Sequence, residues 1–428
     1  MSKYLGSASA VFIWMILILF VTTLAEASPI QDQLYDDYGI DLAGFIEVRH
    51  GRRLQSDPYQ KGESISEARI QVEMSKDVEW AIFQFKGDLV GDLVEEKGRG
   101  EMRELNAAFS PLENMDVKIG RQTLTWGTGD LLFINDLFPK DWESFFIGRD
   151  DEYLKAPSDS VKVSLFSDIA NLNFVWSPVF NGSTYIDGSR ISYWNPILAR
   201  TAGRDFVFDD HERNRFFRDS EYALRLSKTM GSTETALYGY YGFWKTPEGM
   251  DPIGMKLYYP KLSVYGASVR SPLMGGIGNL EIGYYDSRED RKGDDPLVRN
   301  SEFRFLTGFE REVSKDFICG FQYYMEWMSD YDDYEKNLGS GQKRDELRHM
   351  LTARLTRLLM NQNLNLSLFA YYSPSDQDTY IRPKVRYKMT DAWALEVGGN
   401  IFHGSDDHTF FGQFRDTTNA YAGVKMSF

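Results

Sequence analysis

The last eight residues, Tyr421 to Phe428, alternate strictly. Ala422, Val424, Met426 and Phe428 are apolar, and Gly423, Lys425 and Ser427 between them are not. A period of two belongs to an extended strand whose two faces meet different media. A helix cannot gather that pattern on one stripe, so whatever the chain folds into must hold a strand that is apolar on one side only.

The same unit recurs along the chain: a strand of about ten residues, a tight turn, a second strand, then a longer polar loop. Tight turns are expected near 75–77, 110–114, 167–168, 229–232, 271–276, 314–316, 360–363 and 390–391. Longer loops are expected at about 55–62, 91–100, 127–158, 179–215, 245–256, 289–299, 330–344, 374–378 and 405–416. Eight turns alternating with nine loops separate 18 strands. Short connections at one end and long ones at the other are the arrangement of a transmembrane antiparallel β-barrel, and a soluble sandwich has no reason to sort its loops so regularly.

Single strands carry the signal. Leu364, Leu366, Leu368 and Ala370 alternate with Asn365, Ser367 and Phe369; Trp393, Leu395, Val397 and Ile401 alternate with Ala394, Glu396 and Asn400. Phe303, Phe305 and Phe309 alternate with Glu302, Arg304 and Glu310. The apolar set faces lipid and the other set the interior. Trp80, Trp176, Trp327 and Trp393 fall near strand ends, where interfacial girdles belong. The strands near 233–244 and 257–270 carry tyrosines on both faces, and their phase stays open. Pro260 and Pro383 each remove a ladder hydrogen bond, which places them near a rim or a bulge.

The first residues read differently. Lys3, the apolar stretch Ala10 to Leu24 and Ala25-Glu26-Ala27 form the charged, apolar and cleavage regions of a secretory signal peptide. The apolar run is shorter than the roughly 20 residues that a membrane span requires. The expected organisation is a cleaved leader over 1–27, a short periplasmic segment over 28–40 and the barrel over 41–428. So short a segment before the first strand leaves no room for the plug of a TonB-dependent transporter. Beyond residue 28 no apolar run is long enough for a helical span, yet the chain holds 25 Tyr, 29 Phe and 9 Trp. Hydrophilic on average and rich in aromatics is the composition of a barrel whose lipid-facing residues are diluted by lumen-facing polar ones. The single cysteine, Cys319, excludes a disulfide framework and a cysteine-based metal site, and no cofactor is expected. A net charge of −15 argues against nucleic acid as a partner.

The segment Lys118 to Gly127, K-I-G-R-Q-T-L-T-W-G, resembles the G-R-Q strand of alginate-export-like and related porin families of Gram-negative bacteria. The strand ending on Phe428, with Met426 and Val424 on its apolar face, resembles the C-terminal insertion signal of bacterial outer-membrane barrels. Together these resemblances imply a monomeric 18-stranded channel in the outer membrane. Its partners would be outer-membrane lipid, the barrel assembly machinery and a small hydrophilic solute.

The lumen-facing cations follow from the phase of each strand. Arg382, Lys384, Arg386 and Lys388 oppose outward Ile381, Val385, Tyr387 and Met389; Arg348 and Arg354 oppose Leu347, Leu351 and Leu355; Arg304, Arg225 and Arg69 stand elsewhere on the wall. Two readings follow. A basic ladder on one wall is a track for anionic solutes. Alternatively, the equally numerous inward glutamates (Glu47, Glu67, Glu73, Glu104, Glu221, Glu281, Glu302, Glu310, Glu326 and Glu396) pair with the cations. Arg121 breaks the pattern, because alternation from Val117 and Ile119 points it at lipid; either Gly120 marks a bulge that turns it inward or Arg121 lies at the rim, and the bulge is the preferred reading.

The loop at about 127–158 carries Leu131, Leu132, Phe133, Ile134, Leu137, Phe138, Trp142, Phe145 and Phe146, too much apolar area for an exposed loop. It is expected to fold into the mouth as a constriction, with Asp130, Phe133, Asp136, Trp142 and Arg149 among its pore-side residues. Asp141, Asp150, Asp151 and Glu152 accompany them, without the spacing of a calcium loop. The five histidines sit in no G-x-S-x-G or H-E-x-x-H motif, so no catalytic residue is named. Two other functions remain: a β-barrel sheath around a partner such as a cytochrome conduit, and an outer-membrane hydrolase.

Overall fold

The computed structural model describes residues 27–428 except 212 and 340, and all but the last residue of the expected leader lies outside them. Eighteen antiparallel strands close into one barrel. They are β1 (Ile40–Arg53), β2 (Glu63–Val78), β3 (Ala81–Asp92), β4 (Lys97–Leu112), β5 (Met115–Thr123), β6 (Pro157–Leu165), β7 (Asn171–Ser177), β8 (Glu221–Met230) and β9 (Thr233–Phe243). The remainder are β10 (Lys261–Leu273), β11 (Gly276–Ser287), β12 (Glu302–Ser314), β13 (Phe317–Met328), β14 (Leu347–Leu359), β15 (Leu364–Ser373), β16 (Asp378–Lys388), β17 (Trp393–Gly404) and β18 (Asn419–Ser427). Each strand pairs with its sequence neighbours, and β18 returns to β1 in the register Phe45↔Ser427 to Arg53↔Asn419. The expected strand count and sorting of loop lengths therefore hold.

Some boundaries move. The β2–β3 turn lies at 79–80, because the strand pattern runs on through Val78. The loop expected over 91–100 shrinks to 93–96, as β3 and β4 continue pairing to Asp92↔Lys97. Before the barrel, helix α1 (Ala27–Tyr38) ends at Gly39, whose N–H donates to the Tyr35 carbonyl. Helices α2 (Trp142–Ile147) and α3 (Tyr331–Asn337) lie in long loops.

Alternation decides the faces. Leu237, Phe321 and Val397 point outward and are 59%, 57% and 56% exposed. So continuous an apolar exterior suits lipid and not water. The ambiguous tyrosines separate: Tyr238 and Tyr240 are buried inside, whereas Tyr241 and Tyr265 face out. Pro260 sits at the rim before β10, as expected. Pro383 does not; it lies mid-strand opposite Gly399, where the β16–β17 ladder skips between Ile381↔Ile401 and Lys384↔Gly398.

Arg121 is the clearest correction. The register of β5 is continuous through Gly120, paired with Asn106 on one side and Ser160 on the other, so there is no bulge there. Gly120 has φ +122°, and a Cβ on it would meet the Leu105 carbonyl. Arg121 stays on the outer face near the long-loop end, where it pairs with outward Asp159 at 2.9 Å and donates to the Met102 carbonyl. An unpaired cation costs roughly 2–4 kcal/mol at the bilayer midplane and about 0–1 near an interface, so the rim and the carboxylate together make the position tolerable. A register shift lies next door instead, between Lys86 and Gly87 of β3 against β4, and it turns Arg103 inward.

Closure packs Phe428, Met426, Ile46, Val48 and Trp393 together on the outer face, and the Phe428 and Gly44 backbones exchange hydrogen bonds. Phe428→Asp is expected to weaken this seam by about 2 kcal/mol and to deplete the heat-modifiable species on unboiled gels. Wild-type amounts of that species would contradict the role of the seam.

Candidate functional site: a lumen narrowed by an inner loop

The loop between β5 and β6, residues 124–156, runs through the interior and touches most of the wall. Its first part is held by one carboxylate. Buried Glu281 of β11 accepts the N–H groups of Thr128, Gly129 (2.8 Å) and Asn135, and the Asn135 side-chain amide (3.0 Å). Tyr285 and Tyr371 donate their hydroxyls to the Ile134 and Leu131 carbonyls. Irregular backbone is viable at this depth only with such partners.

The middle of the loop supplies the apolar filling. Asp141 caps α2 by accepting the Ser144 N–H, and Gly148 ends it at φ +86°. A Cβ at Gly148 would collide with the ring of Tyr421, so only glycine turns the chain here. Phe145 and Phe146 then pack against wall rings, with Tyr380 at 5.8 and 5.4 Å and, for Phe146, Phe402 at 5.4 Å. Tyr380 itself stacks on Phe402 and Tyr371 at 4.4 and 5.6 Å. Ile134, Phe138, Leu154, Leu306 and Tyr324 belong to the same buried cluster. The barrel's apolar core is thus the inside of its own lumen, built from wall and loop together.

The last part presents acids to wall cations. Asp150 binds Lys425 at 2.8 Å; Asp151 binds Arg382 at 2.9 Å and also Lys384; Glu152 reaches Lys86 at 3.3 Å. Two strands along the wall, Asp130 pairs with Arg354 of β14, and its N–H donates to Gln322 at 2.7 Å. Desolvation pushes the Asp130 carboxyl above its usual range; Arg354 opposes this, while Glu310 and Asp151 add to it. Burial also lifts Asp151, but Arg382 and Lys384 outweigh it and hold that carboxyl below the usual range.

The residues expected at a constriction are placed differently. Asp130 borders open space beside Arg354. Asp136 is buried beside Lys140 (3.0 Å) and accepts from Thr125, so it braces the loop. Phe133 and Trp142 pack on each other at 6.1 Å, and Arg149 is buried against Glu67. Among the expected wall cations, Arg348 pairs with Asp376 at 2.6 Å, and Arg304 pairs with Glu302 and stacks on Tyr285 at 3.9 Å. Arg386 alone of that set faces the lumen without a hydrogen bond, ion pair or ring contact among the described residues.

Sequence reasoning missed Arg190, which the 178–220 loop inserts, fully buried, between Asp92 and Glu143. Nothing marks it in the sequence, since its acidic partners, Glu67 of β2, Asp92 of β3 and Glu143 of α2, lie far away in three separate elements. Open space remains above and below the loop. About 600 Å³ at the long-loop end is lined by Glu101, Arg103, Asp141, Asn181, Arg213 and Tyr259. Near the short-turn end are about 290 Å³ beside Glu73, Lys86 and Glu104, and about 120 Å³ beneath Asp130.

Solved structures share this architecture. OccAB1 of Acinetobacter baumannii aligns with a TM-score of 0.56 at 10% identity, covering 91% of this chain and 97% of that one. OccD3 (OpdP) and OccK5 (OpdH) of Pseudomonas aeruginosa each align at 0.54, with 10% and 9% identity, covering 91% of this chain and 91% and 97% of theirs. No family model matches the sequence, and no curated protein matches it either. The fold shared with these structures is a closed antiparallel barrel, here of 18 strands with an apolar outer band. The likeness to alginate-export-like porins stays confined to Lys118–Gly127.

Acid titration should separate the two carboxylates. As pH falls, Asp130 protonates before Asp151, because burial raises the first and two cations hold down the second. Losing Asp130's charge uncovers Arg354, so the reversal potential in a salt gradient should move toward anion preference above the usual carboxylate range. Asp130→Asn should show that preference at neutral pH and lose the titration step. A step that persists in the variant would assign it to another group.

Proposed function

We propose that the protein is an outer-membrane channel for small hydrophilic solutes, working as a monomer after a leader is removed and the machinery that reads Phe428 has assembled it. The observation that carries this reading is a lipid-compatible barrel whose interior is polar above and below a constriction built by its own loop. The 28–40 segment, which includes most of α1, would lie on the periplasmic side, with the short turns.

The paired wall favours weak charge selectivity over a strong anion track. Asp151 neutralises Arg382 and Lys384, Asp130 neutralises Arg354, and Asp376 neutralises Arg348. A residual anion preference would rest on Arg386 and on Arg270, which also lacks a partner among the described residues and lines the space beneath Asp130. A sheath around a partner protein is disfavoured by the loop that fills the lumen. Hydrolysis finds no support at His349, which lies on the outer face against the Tyr323 hydroxyl at 2.8 Å.

Planar-bilayer recording tests the reading. Wild type should give stable single channels with a modest selectivity that weakens as salt rises, since the Debye length falls from about 10 Å at 0.1 M to about 3 Å at 1 M. Asp151→Asn should raise anion preference by releasing two cations. Changing Arg382, Lys384 and Arg386 together to Gln should shift selectivity toward cations. No channel activity from correctly folded protein would defeat the proposal.

Glu281→Ala should leave the barrel folded but free the first part of the loop, losing about 1–3 kcal/mol of anchoring. Noisier or larger single-channel currents are expected, and unchanged currents would remove Glu281 from this role.

A further inference from the structure

Outside the lumen, residues 215–218 read Arg-Phe-Phe-Arg and lie against the outer wall at the long-loop end, while Arg213 just before them turns toward the inner space. Their position is fixed by Trp176 near the end of β7. Its neighbour Val175 is buried in the interior cluster, so Trp176 faces outward. The Phe217 ring stacks on Trp176 with centroids 6.0 Å apart and planes 14° apart, and the Phe217 N–H donates to the Pro178 carbonyl at 2.7 Å. Phe216 packs edge-on against Phe217 at 4.5 Å.

Phe216 and Phe217 are 60% and 66% exposed. Two adjacent bare phenyl rings are unfavourable in water but suit the depth where a barrel meets the membrane surface. Arg215 and Arg218 bracket them, both exposed. Neither guanidinium has a hydrogen bond, ion pair or ring contact among the described residues. Nearby cations do have partners. Arg213 is shared between Asp219 and Glu289, and Arg291 binds Asp286 at 2.9 Å. The buried Asp219 is engaged by Arg213 and by the Arg215 backbone N–H. In a chain of net charge −15, these two arginines bracketing lipid-facing aromatics form a cationic spot with an apolar floor.

We propose that this segment binds the phosphate-bearing headgroup of an outer-leaflet lipid. The phosphate would sit between Arg215 and Arg218, and the acyl chains along Phe216, Phe217 and outward Tyr222. Guanidinium groups suit phosphate because their planar N–H fork meets two oxygens at once. The inference rests on the membrane placement of the barrel but not on what the lumen carries.

Native mass spectrometry of the full-length barrel in detergent tests it, with lipid A bisphosphate as probe and its phosphate-free form as comparison. Wild type should retain the bisphosphate about tenfold or more better than the phosphate-free lipid. Arg215→Gln with Arg218→Gln should lose that advantage, and Arg291→Gln should keep it. Equal retention of both lipids by wild type would overturn the proposal without any variant, so misfolding cannot shelter it. Complete displacement of lipid A by millimolar inorganic phosphate would also overturn it, since a small-anion site would then suffice. Wild-type conductance in the double variant would show that the loss concerns the outer wall, whereas failed conductance in wild type would count against the channel reading alone.

Discussion

The seam between β1 and β18 is what the remaining structure depends on. Inside a bilayer no water satisfies an unpaired N–H or C=O, so a sheet is stable there only without edges. The ladder from Phe45↔Ser427 to Arg53↔Asn419 removes the last edge. Once the sheet is closed, alternation divides every strand between lipid and lumen, and any residue's surroundings follow from its parity. Arg121 shows the force of that rule. The chain did not escape it with a bulge but placed the cation near the rim and set Asp159 opposite.

A closed barrel of this size creates a second requirement, because its lumen is too wide for wall side chains to fill. The inner loop meets it in two chemically distinct ways. Its middle contributes Phe145 and Phe146 to an aromatic cluster with Tyr380 and Phe402, which fixes the loop through packing. Its ends contribute polar anchors: Glu281 gathers backbone N–H groups, and Asp150 and Asp151 meet wall cations. Partly solvated pairs of this sort stabilise modestly, typically by less than 1 kcal/mol each. The apolar contacts therefore hold the loop in place, and the ion pairs set its register and the charge facing the solute.

Much of the fold was legible because parity is a local property. Strand number, most turn positions and the facing of Arg382, Glu396 or Leu366 follow from neighbouring residues alone. The inner loop was legible too, since nine large apolar residues in one long connection need cover. Its partners were not. Whether Asp136 lines the constriction or buries itself beside Lys140 depends on how the loop turns, and Arg190 finds Asp92 across 98 residues of sequence. Gly120 misled for a related reason: a glycine permits a bulge, but only the register of both neighbouring strands decides whether one forms.

The pairing of wall and loop also bears on why a row of cations on β16 does not by itself make an anion channel. Arg382, Lys384 and Arg386 on a bare wall would repel one another and draw counter-anions from solution. With Asp151 lodged between the first two, the loop supplies those anions covalently, and only Arg386 still faces the open lumen. The charge a solute meets is then the difference between two nearly balanced sets. The loss of one carboxylate changes that difference by one unit, as the loss of one wall cation does, whereas a shift of the loop moves Asp150, Asp151 and Glu152 off their partners together. On the proposed channel reading, selectivity would accordingly depend on the loop's register as much as on the number of arginines on the wall.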